Sequence, residues 1–331
     1  MSWGLSEAGE RGGGKAIALP VLFLVALAGS AGYLASQVSQ DRDPGSFRIS
    51  MDVSLVVLHA TVTDRQGGVV SNLAGPDFEV YEDGVPQRIR LFKNEDVPVT
   101  VGLVIDHSTT MRPKLAEVTA ATQTFVRCSN QDDEMFVVNF NEIATVEMPG
   151  GIPFTNSPAA LEAAIEARPT MGQTALYDAI AKALEVLQAG SRDKKVLIAV
   201  SDGGDNVSAH TLAQVMKLAG RSSAVIYTIG VFDPGDPDQN PGALRRLAEA
   251  TGGEVYLPGQ LSEVVAICER IARDIRHQYT IGYVPINPSR DGAYRAIRVL
   301  ARAQGRGRLS VRTRTGYIAG APPGLGEKSA K

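Results

Sequence analysis

The feature that most constrains the fold is an alternation of short apolar runs with amphipathic helical segments, which begins at residue 99. The runs VTVGLVID (99–106) and KKVLIAVSD (194–202) are of strand length. Continuous apolar runs are typical of strands covered on both faces. TALYDAIAKALEVLQAG (174–190) is an amphipathic helical segment closed by Gly190. This alternation predicts an α/β fold, a doubly wound, mostly parallel sheet with helices on both faces.

Shorter β-rich runs lie on either side of the alternating region. On the amino-terminal side, SLVVLHATVTD (54–64), FEVYED (78–83) and QRIRLF (87–92) are separated by Gly and Asp turns. On the carboxy-terminal side, YRAIRVLARA (294–303) and LSVRTRTGY (309–317) flank a GRG turn and predict a β-hairpin. We therefore expect a small antiparallel β unit built from amino-terminal and carboxy-terminal segments.

These patterns divide the 331-residue chain into six parts. They are a signal peptide or amino-terminal membrane anchor (1–36), a linker (37–48), a small β-rich domain (49–96), the α/β domain (97–278), a carboxy-terminal β-hairpin extension (279–318) and a disordered tail (319–331).

The amino-terminal segment predicts the cellular location of the protein. Arg11 and Lys15 precede a run without any charge (16–36). Its length suits a helix that crosses a membrane, whereas the small residues Ala26-Leu27-Ala28 suit cleavage of a secretory signal. A long leader with acidic residues favours an uncleaved anchor. In either case basic residues before the run predict that the bulk of the chain is extracytoplasmic, in the periplasm or cell envelope, or secreted.

Charge and cysteine content exclude some classes of function. The net charge of −3 at pH 7 gives no attraction to nucleic acid, and we interpret the arginine-rich segment 290–314 as a solvated strand face. Two cysteines and four histidines are too few for a zinc site of the usual spacing. Cys128 and Cys268 can form a disulfide after export or can be small buried hydrophobes on separate helices. Both alternatives stay open.

Oxygen-bearing side chains follow the ends of the predicted strands. Because ligands gather at the carboxyl edge of such sheets, three segments become candidates, and their donors are Asp106, Ser108, Thr110, Thr174 and Asp202. Each residue alone fits a helix cap or a turn as well as it fits a ligand. Together, at one edge, hydroxyl and carboxylate oxygens favour Mg²⁺, or Mn²⁺ or Ca²⁺, over zinc or copper.

The segments DHSTTM, MGQTALYDAI and VLIAVSDGGDN resemble the three metal-site loops of a von Willebrand factor A domain, whose first loop reads Asp-x-Ser-x-Ser. The domain would cover 97–278 and have a Rossmann-like fold. The flanking β segments are similar to those of the acidobacterial A-domain-related family. The resemblance implies a metal-ion-dependent adhesion site in which Ser108, Thr110 and Thr174 bind the ion directly, while Asp106 and Asp202 act mainly through water.

Some positions depart from the family pattern. Thr109 replaces a small glycine and Thr110 replaces the second serine, so whether the site is competent stays open. We expect His107 on the rim of the site, and Asp178 and Asp205 in capping positions or behind the ligands.

The resemblance implies a non-enzymatic protein, exported or anchored in the membrane through its amino-terminal segment. It would bind an acidic residue of a protein partner through the cation. The alternatives are a structural or interaction module with a degenerate metal site, and a metal-dependent hydrolase. The absence of a His–Asp pair or a nucleophile motif in the sequence speaks against the hydrolase.

Overall fold

The structure is a computed structural model, and it describes residues 55–233 and 239–320. The expected signal peptide or anchor, the linker and residues 321–331 of the expected tail lie outside the described residues. Within the described ranges, no helix is both long and apolar enough to cross a bilayer. All the described residues belong to one compact unit.

The described residues form strands and helices whose bounds follow in chain order. The strands are β1 (Val56–Thr63), β2 (Phe78–Glu82), β3 (Val85–Gln87), β4 (Ile89–Lys93), β5 (Val99–Asp106), β6 (Glu134–Phe140), β7 (Ala144–Val146), β8 (Lys194–Ser201), β9 (Val225–Gly230), β10 (Val255–Tyr256), β11 (Tyr279–Tyr283), β12 (Tyr294–Ala301), β13 (Ser310–Arg312) and β14 (Gly316–Ile318). The helices are α1 (Leu115–Arg127), α2 (Pro158–Glu166), α3 (Leu176–Gln188), α4 (Leu212–Arg221), α5 (Pro241–Thr251) and α6 (Glu263–Arg276).

A six-stranded sheet with the order β10-β9-β8-β5-β6-β7 forms the centre of the α/β region. All its strand pairs are parallel except β6 with β7. Every residue of β5 is buried, as its continuous apolar sequence predicts. Leu103 and Ile105 pack in a core with α1, α2 and α6, whereas Val104 packs on the opposite face with α3, α4 and α5. The predicted doubly wound α/β fold is therefore confirmed.

Local sequence accounts for the helix ends. Helix α2 begins after Ser157, whose hydroxyl accepts a hydrogen bond from the Ala160 N–H. The Asn240 side chain does the same for Ala243 at the start of α5. Helix α5 ends at Gly252, which has φ = 86°, a left-handed conformation that favours glycine. Thr211 and Gln214 form a reciprocal capping box on α4.

Two further sheets are four-stranded and antiparallel, with the strand orders β13-β1-β11-β4 and β14-β12-β2-β3. Their strands come before and after those of the central sheet in the sequence. Each sheet combines strands from both ends of the described chain. Leu58 of β1 lies opposite Ile281 of β11, and Val80 of β2 lies opposite Val299 of β12. Their apolar faces share one core, which confirms the antiparallel unit built from amino-terminal and carboxy-terminal segments.

The predicted carboxy-terminal β-hairpin is confirmed in part: the end of its second segment pairs antiparallel with β12, but β13 does not pair with β12. Strand β12 is paired on one edge with β2 and on the other with β14, where Arg295 lies opposite Tyr317. Strand β13 pairs instead with β1, placing Val311 opposite Val62. A strand has only two edges, and β2 and β14 fill both edges of β12, so β13, which comes first after the GRG turn, pairs with β1.

The expectation of a solvated arginine face is wrong for three residues. Arg295 is buried and bonds Asp291 at 2.9 Å. Arg312 contacts the buried carboxylate of Asp274. The Arg314 guanidinium donates 2.8 Å bonds to main-chain carbonyls of residues 316 and 220. These arginines connect secondary-structure elements.

Neither cysteine forms a disulfide. Cys128 is exposed at the end of α1, and Cys268 is buried in α6. Burial raises the pKa of the Cys268 thiol to about 12. The alternative of two small buried hydrophobes is therefore confirmed for Cys268 and wrong for Cys128.

Candidate functional site

Three loops meet at the carboxyl edge of the central sheet. Loop 1 (residues 106–111) follows β5, loop 2 (170–174) precedes α3, and loop 3 (201–206) follows β8. Strands β5 and β8 are parallel neighbours, with Ile105 opposite Val200. The first residues of loops 1 and 3 therefore leave the sheet side by side.

Asp106 lies at the base of the site. It is fully buried, and its carboxylate accepts a 2.6 Å hydrogen bond from Ser201 Oγ and a 2.8 Å bond from the Ser108 N–H. Burial raises the pKa of Asp106 to about 6; the bonds from Ser201 and Ser108 oppose this rise, and the nearby carboxylate of Asp202 adds to it. A cation beside the two carboxylates would favour the charged form of Asp106.

Ser108, Thr110 and Asp202 are joined by their side chains. Ser108 Oγ lies 3.1 Å from Thr110 Oγ1, and Thr110 Oγ1 donates a 2.7 Å bond to Asp202 Oδ2. The other oxygen of Asp202, Oδ1, accepts from the Gly204 N–H at 3.2 Å. Loops 1 and 3 therefore bring two hydroxyls and a carboxylate into direct contact.

The alternative of helix capping does not account for these hydroxyls. Ser108 precedes a short 3-10 turn (Thr109–Met111), but its side chain makes no capping hydrogen bond. Lys114, not Thr110, is the residue before α1, and Ala175, not Thr174, is the residue before α3. The three hydroxyls are consequently not used as caps of these elements.

Loop 2 is attached to both other loops through the main chain. The Thr109 N–H and hydroxyl donate to the Gly172 carbonyl at 3.2 and 3.1 Å. Thr174 exchanges two bonds with Asn206: its N–H donates to Asn206 Oδ1 at 2.9 Å and its carbonyl accepts from the Asn206 N–H at 3.0 Å. Ser108, Thr110 and Asp202 are thus linked by side chains, Asp106 is linked to them through the Ser108 N–H, and buried Thr174 lies beside loop 3.

Residues 101–204, which include all five of these donors, match the family model of the von Willebrand factor type A domain. The chain contains a von Willebrand factor type A domain. No curated protein matches the sequence.

Several solved structures are similar to the chain at low identity. A von Willebrand factor type A protein from Catenulispora acidiphila is 16% identical, with a TM-score of 0.49, and the match covers 82% of this chain and 75% of that one. An aerotolerance-related membrane protein from Bacteroides fragilis is 15% identical, with a TM-score of 0.44, covering 54% of this chain and 98% of its own. The von Willebrand factor domain of the type V pili tip protein Mfa5 from Porphyromonas gingivalis is 16% identical, with a TM-score of 0.46, covering 54% and 95%.

The donor set of the A domain fits a hard divalent cation. Its atoms are hydroxyl and carboxylate oxygens, which Mg²⁺, Mn²⁺ and Ca²⁺ prefer. Among the described residues, no three His, Cys, Asp or Glu side chains form a metal-binding group. A cation at this edge would therefore depend on the hydroxyls as well as on Asp106 and Asp202.

The prediction that His107 lies on the rim of the site is wrong. It is fully buried; its N–H donates to the Phe140 carbonyl at 2.6 Å, and its carbonyl accepts from the Met171 N–H at 2.9 Å. Burial lowers the pKa of the imidazole, and hydrogen bonding to the Arg168 main chain and the Asn139 side chain opposes this shift. Residue 107 continues β5 beside the end of β6, so its side chain stays inside the A domain.

Asp178 and Asp205 lie outside the donor set, as expected. Asp205 accepts a 2.8 Å bond from the Tyr177 N–H in the first turn of α3. Asp178 accepts from the N–H groups of Ala209 and His210, both at 2.9 Å, and lies 2.7 Å from His210 Nδ1. The structure thus contains a His–Asp pair that sequence reasoning missed, because its members are 32 residues apart.

The described ends of a fourth segment, which follows β9, also lie beside loops 1 and 3. Lys114, which follows loop 1, is buried; its Nζ donates to the Val231 carbonyl at 2.8 Å and lies 2.9 Å from Asp233 Oδ2. Gly203 of loop 3 has φ = 78°, and a Cβ there would come within 2.8 Å of the Asn240 carbonyl oxygen. The ends of this segment therefore contact loop 3 and Lys114, which follows loop 1.

Asp233 is bonded to Lys114, while Asp236 and Asp238 lie outside the described residues. No sequence pattern marked Lys114, since a buried lysine has no periodic signature.

Proposed function

We propose that this chain is a non-enzymatic binding protein whose A domain captures an acidic residue of a protein partner through a divalent cation, with Mg²⁺ as the first candidate and Mn²⁺ and Ca²⁺ as alternatives. The residues that would hold the ion are Asp106, Ser108, Thr110, Thr174 and Asp202. The observation that carries the proposal is the 2.7 Å bond between Thr110 and Asp202, because it joins a hydroxyl and a carboxylate from different loops.

The chain's own groups would prepare the site before the ion arrives. Ser201 Oγ and the Ser108 N–H hold both oxygens of Asp106, which keeps this carboxylate in one orientation. Thr109 ties loop 1 to loop 2 through the Gly172 carbonyl. A bound divalent cation would supply a coordination position for an external carboxylate. Preorganised loops reduce the ordering cost of binding.

The hydrolase alternative is less well supported. It requires a general base within reach of an activated water. His107 is fully buried, and Asp178 uses its carboxylate to hold two main-chain N–H groups beside His210. The His210–Asp178 pair therefore has a structural use in closing the 205–211 segment onto α3. A screen for turnover of generic ester and phosphate substrates tests this alternative, and metal-dependent turnover would favour it.

The cellular location is proposed from the sequence. The uncharged run at 16–36, preceded by basic residues, supports export with an amino-terminal membrane anchor or a cleaved signal. The bulk of the protein would then face the periplasm or the cell envelope, or be secreted. Alkylation of Cys128 by a membrane-impermeant reagent in intact cells or spheroplasts tests this, because Cys128 is exposed.

Calorimetry with Mg²⁺ tests the metal site itself. The purified protein should bind the ion, and Asp106→Asn should bind it much more weakly. Because a change at a buried residue can disturb folding, exposed Thr110 provides a second variant, Thr110→Ala, with circular dichroism as the check on folding. Absence of binding, together with an unfolding curve unchanged by EDTA, would instead support the alternative of a structural module with a degenerate site.

A further inference from the structure

We propose that the site recognises a protein segment in which the acidic residue is flanked by apolar side chains, and that Ile143, Met171 and Val207 make the apolar contacts. These three residues are called the apolar rim. The inference rests on the proposed function, since a cation at the three loops is what would hold the acidic residue.

The side chains of the three rim residues are exposed. Ile143 is 66% exposed, Met171 54% and Val207 38%. Single exposed apolar residues are ordinary on protein surfaces; these three differ from the others in standing on the segments that are bonded to one another at the site. Ile143 is the most exposed large apolar side chain among residues 55–233 and 239–320. Its exposure costs free energy unless a partner covers it.

Met171 is held directly beside the candidate donors. Its N–H donates to the His107 carbonyl at 2.9 Å, and His107 stands between Asp106 and Ser108. The next residue, Gly172, accepts the bonds from Thr109. The backbone at Met171 is therefore attached to loop 1 on both sides.

Ile143 lies on the adjacent β6–β7 turn. Glu142, its neighbour in the chain, accepts a 3.3 Å bond from the Gln173 N–H in loop 2. The Ile143 carbonyl accepts a 3.3 Å bond from Arg168 Nη1. The turn is thus anchored next to loop 2, while the Ile143 side chain stays in solvent.

Val207 extends the rim to loop 3. It follows Asn206, whose side chain and N–H bond the main chain of Thr174. The three rim residues accordingly stand on three separate segments that are each bonded to loop 1 or loop 2.

The chemistry of the surface defines the partner. The centre would take a carboxylate, and the surrounding positions would take apolar groups. Arg112, exposed and bonded to the Thr170 carbonyl at 2.9 Å, adds positive charge complementary to an acidic segment. Because the rim residues stand on separate segments with polar main chain between them, they suit side chains on either side of an acidic residue in a peptide.

Three capped tripeptides test the inference with the whole protein in Mg²⁺. They are acetyl-Leu-Asp-Leu-amide, acetyl-Gly-Asp-Gly-amide and acetyl-Leu-Asn-Leu-amide. We expect the first to bind about tenfold more tightly than the second, since burying part of two leucines is worth roughly one decade in Kd. The asparagine peptide should lose binding, and so should the aspartate peptides in EDTA. Titrations followed by NMR would give the affinities.

A matched pair of variants assigns the effect to the rim. Ile143→Ser with Met171→Ser should remove the tenfold preference and leave Mg²⁺ binding and the glycine peptide unchanged. Ile286→Ser, at a residue that is 64% exposed and follows β11 in the antiparallel unit, should change neither quantity.

The outcomes separate this inference from the proposed function. Equal binding of the leucine and glycine peptides would overturn the apolar rim and leave the metal-dependent capture intact. Failure of every peptide to bind in Mg²⁺ would overturn both. Leucine peptides that bind equally with Asp or Asn, or Mg²⁺-dependent self-association that requires Ile143 and Met171, would also overturn the inference, because the occupant would then be an apolar ligand or a second copy of the chain.

Discussion

Thr110 Oγ1 donates a 2.7 Å hydrogen bond to Asp202 Oδ2 across 92 residues of sequence. The contact connects the loop after β5 with the loop after β8, two neighbouring parallel strands. It also shows that the hydroxyl of a threonine at this position points at the carboxylate, even though Thr109 and Thr110 depart from the family pattern. The Thr110 oxygen therefore lies beside the Asp202 carboxylate, as the proposed cation site requires.

Two replacements of Thr110 should distinguish the contribution of its hydroxyl oxygen to metal binding from that of its methyl group. Thr110→Ser keeps the hydroxyl and should keep Mg²⁺ binding within a few-fold. Thr110→Val keeps the shape and removes the oxygen, so it should weaken Mg²⁺ binding by about tenfold or more, in the range seen when groups that support a metal site are lost. Calorimetry measures both. Equal affinities of the serine and valine variants would contradict a role for the hydroxyl.

Asp106→Asn should stabilise the metal-free protein. The pKa of Asp106 is raised to about 6 by burial, above its unfolded value, so the folded protein holds a proton more tightly between about pH 4 and 6. Stability in EDTA should accordingly fall as pH rises through that window and stay reduced at pH 7.5. The asparagine variant should be more stable there by about 1–3 kcal/mol.

Urea unfolding in EDTA at pH 5 and 7.5 measures this difference. The same variant should lose the stabilisation that Mg²⁺ gives the wild type. An asparagine variant that is less stable than the wild type in EDTA at pH 7.5 would contradict the prediction.

The sequence was sufficient to predict the parts of the site that depend on topology. Continuous apolar runs make β5 and β8 buried parallel strands, and parallel neighbours end at one edge, so Asp106 and Asp202 had to be close. The direction of a side chain beyond a strand end is not contained in that pattern. His107 is buried rather than exposed because it continues β5 beside β6, which only the assembled sheet determines.

Non-local pairing explains the other differences. The turn between β12 and β13 predicts a hairpin only if the two strands have free edges, and β12 is enclosed by β2 and β14. Likewise, Asn206 bonds Thr174 and Lys114 bonds Asp233 across long stretches of sequence. Such contacts follow from tertiary packing, which no local periodicity encodes.

Lys114→Met should weaken both folding and the metal site. The change leaves the Val231 carbonyl without its 2.8 Å donor, and a buried unpaired acceptor costs about 1–3 kcal/mol. The Asp233 side chain is half exposed, so water can solvate its carboxylate. Loss of its ion pair with Lys114 therefore adds little to the cost in stability. Because Lys114 ties the end of loop 1 to the segment after β9, Mg²⁺ affinity should also fall several-fold.

Lys217→Met, at an exposed residue of α4, is the matched control and should leave stability and Mg²⁺ affinity unchanged. Urea unfolding and calorimetry measure the two effects. If Lys114→Met lowers stability but leaves Mg²⁺ affinity at the wild-type value, the lysine supports the fold without positioning loop 1.

Arg312 of β13 contacts Asp274 of α6. The single variant Arg312→Met should destabilise the protein more than the removal of both side chains does. Arg312 contacts the carboxylate of Asp274, which is 5% exposed and also accepts a 2.9 Å bond from the Tyr227 hydroxyl. Removing the cation leaves a buried charge uncompensated.

Because a quarter of the Arg312 side chain is exposed, we expect a cost of about 2 kcal/mol, below the full value for a buried pair. The double variant Arg312→Met with Asp274→Leu should recover at least half of this loss. Urea midpoints of the wild type, the two single variants and the double variant form a complete cycle. Additive losses in the double variant would mean that the two side chains do not depend on each other.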